Sequence, residues 1–186
     1  MKFLAIPLSL FALLSSFIGF SQTPLAALNN DLLEQTIIRS TGESKIHKML
    51  HAAVKAADLE ETLASDGPFT VFAPSDKAFK KMSANKIEAL LKPENKRALQ
   101  SFVTYHIVAG NLTASEILRA MCRGKGAASF TTIQGNELLA TMDGLDIILT
   151  DCFGNSARIT SADSSQSNGV IHVIDSVILP NQFSLP

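Results

Sequence analysis

The chain has 186 residues, room for one domain with a sizeable core and hardly for two. Its 16 basic and 17 acidic residues leave a formal net charge of -1, which argues against the basic face that a nucleic-acid partner demands. Tryptophan is absent and Tyr105 is the single tyrosine, so a carbohydrate site built on aromatic platforms is poorly supplied.

The N-terminus reads as an export signal. Lys2 gives a positive start, and residues 3–20 are apolar apart from Ser9, Ser15 and Ser16, with Pro7 and Gly19 inside the run. Gly19-Phe20-Ser21 then offers the small residues a signal peptidase reads. Residues 1–21 are therefore expected to be a cleaved signal peptide, leaving Gln22 as the mature terminus of a secreted, periplasmic or cell-surface protein. An uncleaved anchor is the competing reading, since about eighteen apolar residues approach a bilayer span. Small residues stand where an anchor would carry charges, so no stable membrane span is expected after cleavage. Outside the cytoplasm, the pair Cys122 and Cys152 favours one disulfide. It would close a loop of about thirty residues and stabilise by roughly 3–4 kcal/mol on the chain-entropy model. Two buried thiols that never meet are the alternative, and no CxxC spacing points to a redox site.

After a loosely patterned stretch, Asp31 and Glu34 have the spacing of a reciprocal helix cap, predicting a helix to about Arg39 that Thr41-Gly42 breaks. Ile46, Leu50 and Val54 mark one face of a second helix, and Asp58 and Glu61 repeat the cap signal for a third. Gly67-Pro68 is a turn, residues 69–72 read as a buried strand, and Pro74 stops it. Ser75 is placed to cap the next helix, with Asp76 where the helix dipole favours negative charge.

Ser83 then starts a helix with Ile87, Leu90 and Leu91 on its apolar side. Pro93 opens another, whose Leu99, Phe102, Val103 and His106 fall at i, i+3, i+4 and i+7 to about Thr104. Residues 105–108 read as a short strand. Thr113 and Glu116 form a capping box, and that helix should end before Gly124. Beyond it the texture is β: residues 130–133, 137–142, 146–150 and 157–160, punctuated by Gly135-Asn136, Asp143-Gly144 and Gly154-Asn155. Residues 161–169 look like a polar loop, and residues 170–179 a central strand covered on both faces and ended by Pro180. Helices first and strands last predict an α+β domain with a mostly antiparallel sheet.

Few residues carry chemistry. Glu43, His47 and His51 lie at successive i+4 positions, a spacing zinc can use, but no H-E-x-x-H or further ligand accompanies them, so an ordinary helix surface is the preferred reading. His106 and His172 sit among apolar neighbours and are expected to be buried and neutral, with Asp175 a candidate partner. No G-x-S-x-G elbow and no phosphate-binding loop is present, and no cofactor is expected. Arg119, Arg123 and Lys125 read as a solvated helix end, and Asn111-Leu112-Thr113 is an N-glycosylation pattern.

Three ordered motifs carry a resemblance. Gly67 to Phe79, including Thr70, Phe72, Pro74, Ser75, Asp76 and Phe79, is similar to the first signature of fasciclin domains. Asn168-Gly169-Val170-Ile171-His172-Val173-Ile174-Asp175 is similar to the second, and Tyr105-His106 matches the tyrosine–histidine motif between them. Lys55-Ala56-Ala57-Asp58-Leu59 and Leu91-Lys92-Pro93-Glu94-Asn95-Lys96 fit the same pattern. The resemblance spans about Ile46 to Pro180 and implies a wedge-shaped β-sandwich with an N-terminal and further packed helices. The expected layout is residues 22–40 as an N-terminal extension, 41–182 as the fasciclin domain and 183–186 as a tail. It further implies a non-enzymatic, monomeric adhesion or interaction module binding a cell-surface or matrix protein or polysaccharide. The alternative is a carrier of a small apolar ligand. In animal members the tyrosine–histidine region is linked to integrin binding, whereas a structural role for Tyr105-His106 is expected here. The two cysteines lie outside the motif pattern.

Overall fold

The computed structural model describes residues 35–65 and 67–180. Its first part is helical: α1 (Ile37–Glu43), α2 (Lys48–Ala56) and α3 (Glu60–Ala64) precede the first strand, β1 (Phe69–Pro74). Then follow α4 (Asp76–Phe79), α5 (Ala84–Leu90), a 3-10 turn (Pro93–Asn95), α6 (Lys96–Tyr105), β2 (Ile107–Ala109) and α7 (Ala114–Arg123). Five strands finish the domain: β3 (Ala127–Thr131), β4 (Glu137–Asp143), β5 (Asp146–Thr150), β6 (Ser156–Gln166) and β7 (Gly169–Ile174).

The strands form one seven-stranded sheet in the order β2-β1-β7-β6-β5-β4-β3. All its pairings are antiparallel except β1 with β7. The sheet folds over until its ends nearly meet, where Val108 bridges Thr132 and the Ile133 amide donates to Ile107 O at 2.8 Å. This is the expected α+β sandwich with helices packed around it. Strand β1 is buried on both faces and alternates between two cores. Val71 and Ala73 face a helical core with Leu50, Val54, Leu99 and Phe102. Phe72 faces the sandwich core with Tyr105, Ile117, Met121, Leu138, Leu149 and Ile174.

Several sequence expectations need correction. Asp31 lies outside the described residues, and the first helix seen starts later. Thr36 caps it by accepting from the Arg39 amide, and the helix runs through Thr41-Gly42, where the Thr41 hydroxyl donates to Ile38 O at 2.9 Å. Asp58 is no N-cap. It takes φ 54° just past α2, and the Leu59 amide closes that helix on Val54 O. Ile46 precedes α2 and is 50% exposed. Tyr105 ends α6 and His106 caps it, so the strand starts only at Ile107. Strand β3 begins at Ala127 and β7 stops at Ile174. The largest departure is residues 161–169, read as a loop. Most of them extend β6, whose bulges at Ile159/Ser161 and Ser161/Ser164 break the alternation that a sequence pattern needs.

Candidate functional site

Asn168 stands at the turn into β7, 5% exposed, and joins three segments. Its Oδ1 accepts from the Ile37 amide at 2.9 Å, and its Nδ2 donates to Leu63 O at 2.7 Å and Ser65 O at 2.9 Å. Its carbonyl accepts from the Phe69 amide at 3.0 Å. Only an amide supplies an acceptor and two donors in that arrangement. Next to it, Gly169 takes φ 151°, and a Cβ there would lie 1.9 Å from Phe69 O. Glycine is what lets β1 and β7 approach.

Thr70 works in the same way on the other side of β1. Its hydroxyl donates to Gly110 O at 2.7 Å and accepts from the Leu112 amide at 2.8 Å. His172 pairs in register with Phe72 on the parallel neighbour, with ring centroids 5.6 Å apart. Its Nε2 lies 2.7 Å from Leu112 O and its Nδ1 accepts from the Asp163 amide at 3.2 Å. These partners assign the proton to Nε2. Burial pushes its pKa down, so the ring is neutral at pH 7.

His106 is fully buried, and its Nδ1 lies 2.8 Å from Phe102 O, which assigns the proton there. Its Nε2 has no hydrogen-bond partner among the described residues. Burial drives its pKa down to about 4. Tyr105 points the other way and donates to Glu137 O at 3.1 Å, its pKa raised to about 12 chiefly by burial. The pair therefore ties α6 to β4 and lines no solvent-facing site.

In the first signature, Pro74 and Phe79 are buried. The Ser75 hydroxyl accepts from the Ala78 amide at 3.2 Å, the expected cap. Asp76 also reaches across to α2, whose own N-cap His47 makes no capping bond, and accepts from the Met49 amide at 2.9 Å. Asp175 does not meet a histidine. It accepts from the Arg158 amide at 2.9 Å and from Lys81 Nζ at 3.2 Å. Burial opposes its ionisation, but these donors hold its carboxyl below the usual carboxylate range.

Glu43, His47 and His51 do not converge. His47 is buried with Nδ1 3.1 Å from Pro74 O, Glu43 pairs with Arg39, and no group of three metal-ligating side chains occurs among the described residues. Cys122 and Cys152 are both free and exposed in the structure, so the expected bridge is not formed in it. Arg119, Arg123, Lys125 and Asn111 are exposed. Asp151, 5% exposed, went unmarked by any motif, and it accepts from the Phe153 and Asn155 amides, from Asn155 Nδ2 and from the Leu179 amide. Its partners lie up to 28 residues away, and a lone Asp in a turn carries no signal of that. The turn it braces holds Phe153 out at 55% exposure. Together these residues form an interlocked scaffold that ties the helices to the sheet.

No helix among the described residues is long and apolar enough to cross a membrane. A family model described as Fasciclin domain matches residues 45–180. Protein sll1483 of Synechocystis sp. is 42% identical over 146 residues, covering 78% of this chain and 73% of its own length. Periostin of Homo sapiens is 33% identical over 130 residues, 70% of this chain and 14% of periostin. Among solved structures, a FAS1 domain pair from the insect cell adhesion molecule Fasciclin I superposes with a TM-score of 0.70 at 16% identity. That match covers 80% of this chain and 52% of the other.

Proposed function

The chain belongs to the fasciclin domain family, and from that premise we propose that it is a non-enzymatic binding module acting at a cell surface or in a matrix. One observation carries the reading. The polar side chains of the signature motifs are spent inside the protein: Asn168, Thr70, His172 and His106 are buried and hydrogen-bonded to backbone. A reacting group would need access and a poised proton, whereas these are locked and neutral. The motifs build the scaffold, and the exposed surface makes the contacts. The match to a domain pair of a cell adhesion molecule accords with this reading. So do two clefts among the described residues, which are open to solvent and mix hydroxyls and charged side chains with Met82, Val177 and Leu179. They offer an apolar cargo little enclosure, which favours the binding module over the carrier.

Labelled mature protein, incubated with an envelope or matrix preparation from its own source, should be retained saturably and competed by unlabelled protein. Absence of saturable retention would overturn the reading. A co-purified apolar molecule in native mass spectrometry would favour the carrier instead.

A further inference from the structure

We propose that the cleft running from residues 81–86 across the outer face of β5 and β6 binds an anionic polysaccharide. This rests on the binding-module reading and names the ligand class. Two adjoining hollows of about 390 and 400 Å³ share Ser156 and Ser176 in their walls, giving one extended trough. Each hollow alone falls in the size range of ligand sites. The first is lined by Lys81, Ser83 and Lys86, with Met82 and Val177 giving it an apolar patch. Thr141, Thr150, Arg158 and Asp175 line the second.

Charge selects the ligand's sign. Between positions 77 and 86 the chain carries Lys77, Lys80, Lys81 and Lys86 and no acidic side chain, and all four are exposed. Lys81 is balanced by Asp175, and Arg158 by Asp143 and Asp146, so the charge left over at this end is that of Lys77, Lys80 and Lys86. Among the described residues Lys86 has no carboxylate partner. A positive excess is thus concentrated at one end of the trough in a chain of net charge -1, where it attracts an anion.

Wall chemistry selects the ligand's kind. Protein hot spots are built on aromatic and arginine anchors in dry pockets, and neither hollow has an aromatic wall. The trough offers hydroxyls instead. Ser176 accepts from Lys81 Nζ at 3.0 Å, and the Thr150 and Ser156 hydroxyls stand 3.4 Å apart. Hydroxyls and fixed ion pairs match the alternating donors and acceptors of a sugar chain. The apolar side chains suit the C–H faces of its rings, and Lys81 and Lys86 suit its carboxylates. The scarcity of aromatic residues weighs against flat stacking platforms and leaves this polar mode open.

The test is affinity electrophoresis of the mature full-length protein through gels containing polygalacturonate, with uncharged dextran as control. Polygalacturonate should retard the protein, dextran should not, and retardation should weaken as salt is raised. The Lys81→Ala/Lys86→Ala double variant should lose at least about tenfold in affinity, with Lys96→Ala unchanged. Lys81 bonds Asp175 and Ser176, so Lys86→Glu, at an exposed position, serves as a second variant that leaves those bonds intact. Equal retardation by both polymers, or unchanged binding in variants whose melting temperature is unmoved, would overturn the assignment. So would retention by envelope protein alone. Should the double variant still bind its envelope preparation, the cleft assignment fails and the binding-module reading stands. Failure of the unmodified protein to bind either polymer or envelope removes both.

Discussion

Replacing Asn168 with alanine would strip the side-chain partners from the Ile37 amide and from the Leu63 and Ser65 carbonyls at once. Buried backbone groups left without partners cost about 1–3 kcal/mol each, so Asn168→Ala should destabilise by about 3 kcal/mol or more. Urea unfolding measures it, and an unmoved midpoint would refute the staple. His106 makes a different prediction, in pH. Its pKa is about 4 folded against an ordinary 6.5, so as pH falls the unfolded chain takes up the proton first. The stability tied to the neutral ring is whole above pH 6.5 and drains away between about 6.5 and about 4, amounting to about 3 kcal/mol. His172 shifts the same way, and Asp175, with its lowered carboxyl pKa, adds to the loss at lower pH still. Midpoints measured across that window should fall, and less steeply in a His106→Gln variant. Neutral burial of both histidines was legible from their apolar neighbours. Their partners were not, because Leu112 lies 60 residues from His172 in sequence.

Among the elements, β1 and α4 were readable because their determinants are local. A Gly-Pro turn, an apolar run and a serine cap sit within thirteen residues. The capping box at Thr113 and Glu116 was readable for the same reason. What escaped was either irregular or remote. Bulges hid half of β6, and Asp76 caps a helix 27 residues upstream, which no spacing rule reaches. Asp58 imitates a cap through its i+3 acid, but its backbone is left-handed. Gly169 is decisive for the β1–β7 pair. Gly169→Ala places a methyl group 1.9 Å from Phe69 O, and the strands must part to admit it. The variant should lose about 4 kcal/mol or more, read as a collapse of melting temperature or of soluble yield. A normal melt would show that the pair relaxes freely.

At the scale of the whole molecule, the helical core and the sandwich core share β1, so neither should come apart alone. Tyr105 provides an independent probe, being the only tyrosine in a chain without tryptophan and fully buried in the sandwich core. Near-ultraviolet circular dichroism should therefore follow the sandwich, and far-ultraviolet the helices. The two melts should coincide in one transition, and separated midpoints would show the cores to be independent. The α+β class was legible from helices preceding strands. The near-closure of the sheet and the cleft were not, since each assembles residues from distant segments with no common period.

The parallel pairing of Phe69 with Gly169 spans about a hundred residues, and it dictates a history for the polypeptide. Strand β1 acquires its inner neighbour only when the last strand exists. A growing chain that has not yet produced Gly169 exposes the apolar edge and faces of β1 to whatever surrounds it. Local helices gain nothing from waiting, but β1 must, because long-range pairing comes late and slowly. Before completion such a chain is a client for any factor that shields exposed strands, and the molecule closes from its end backwards to its beginning.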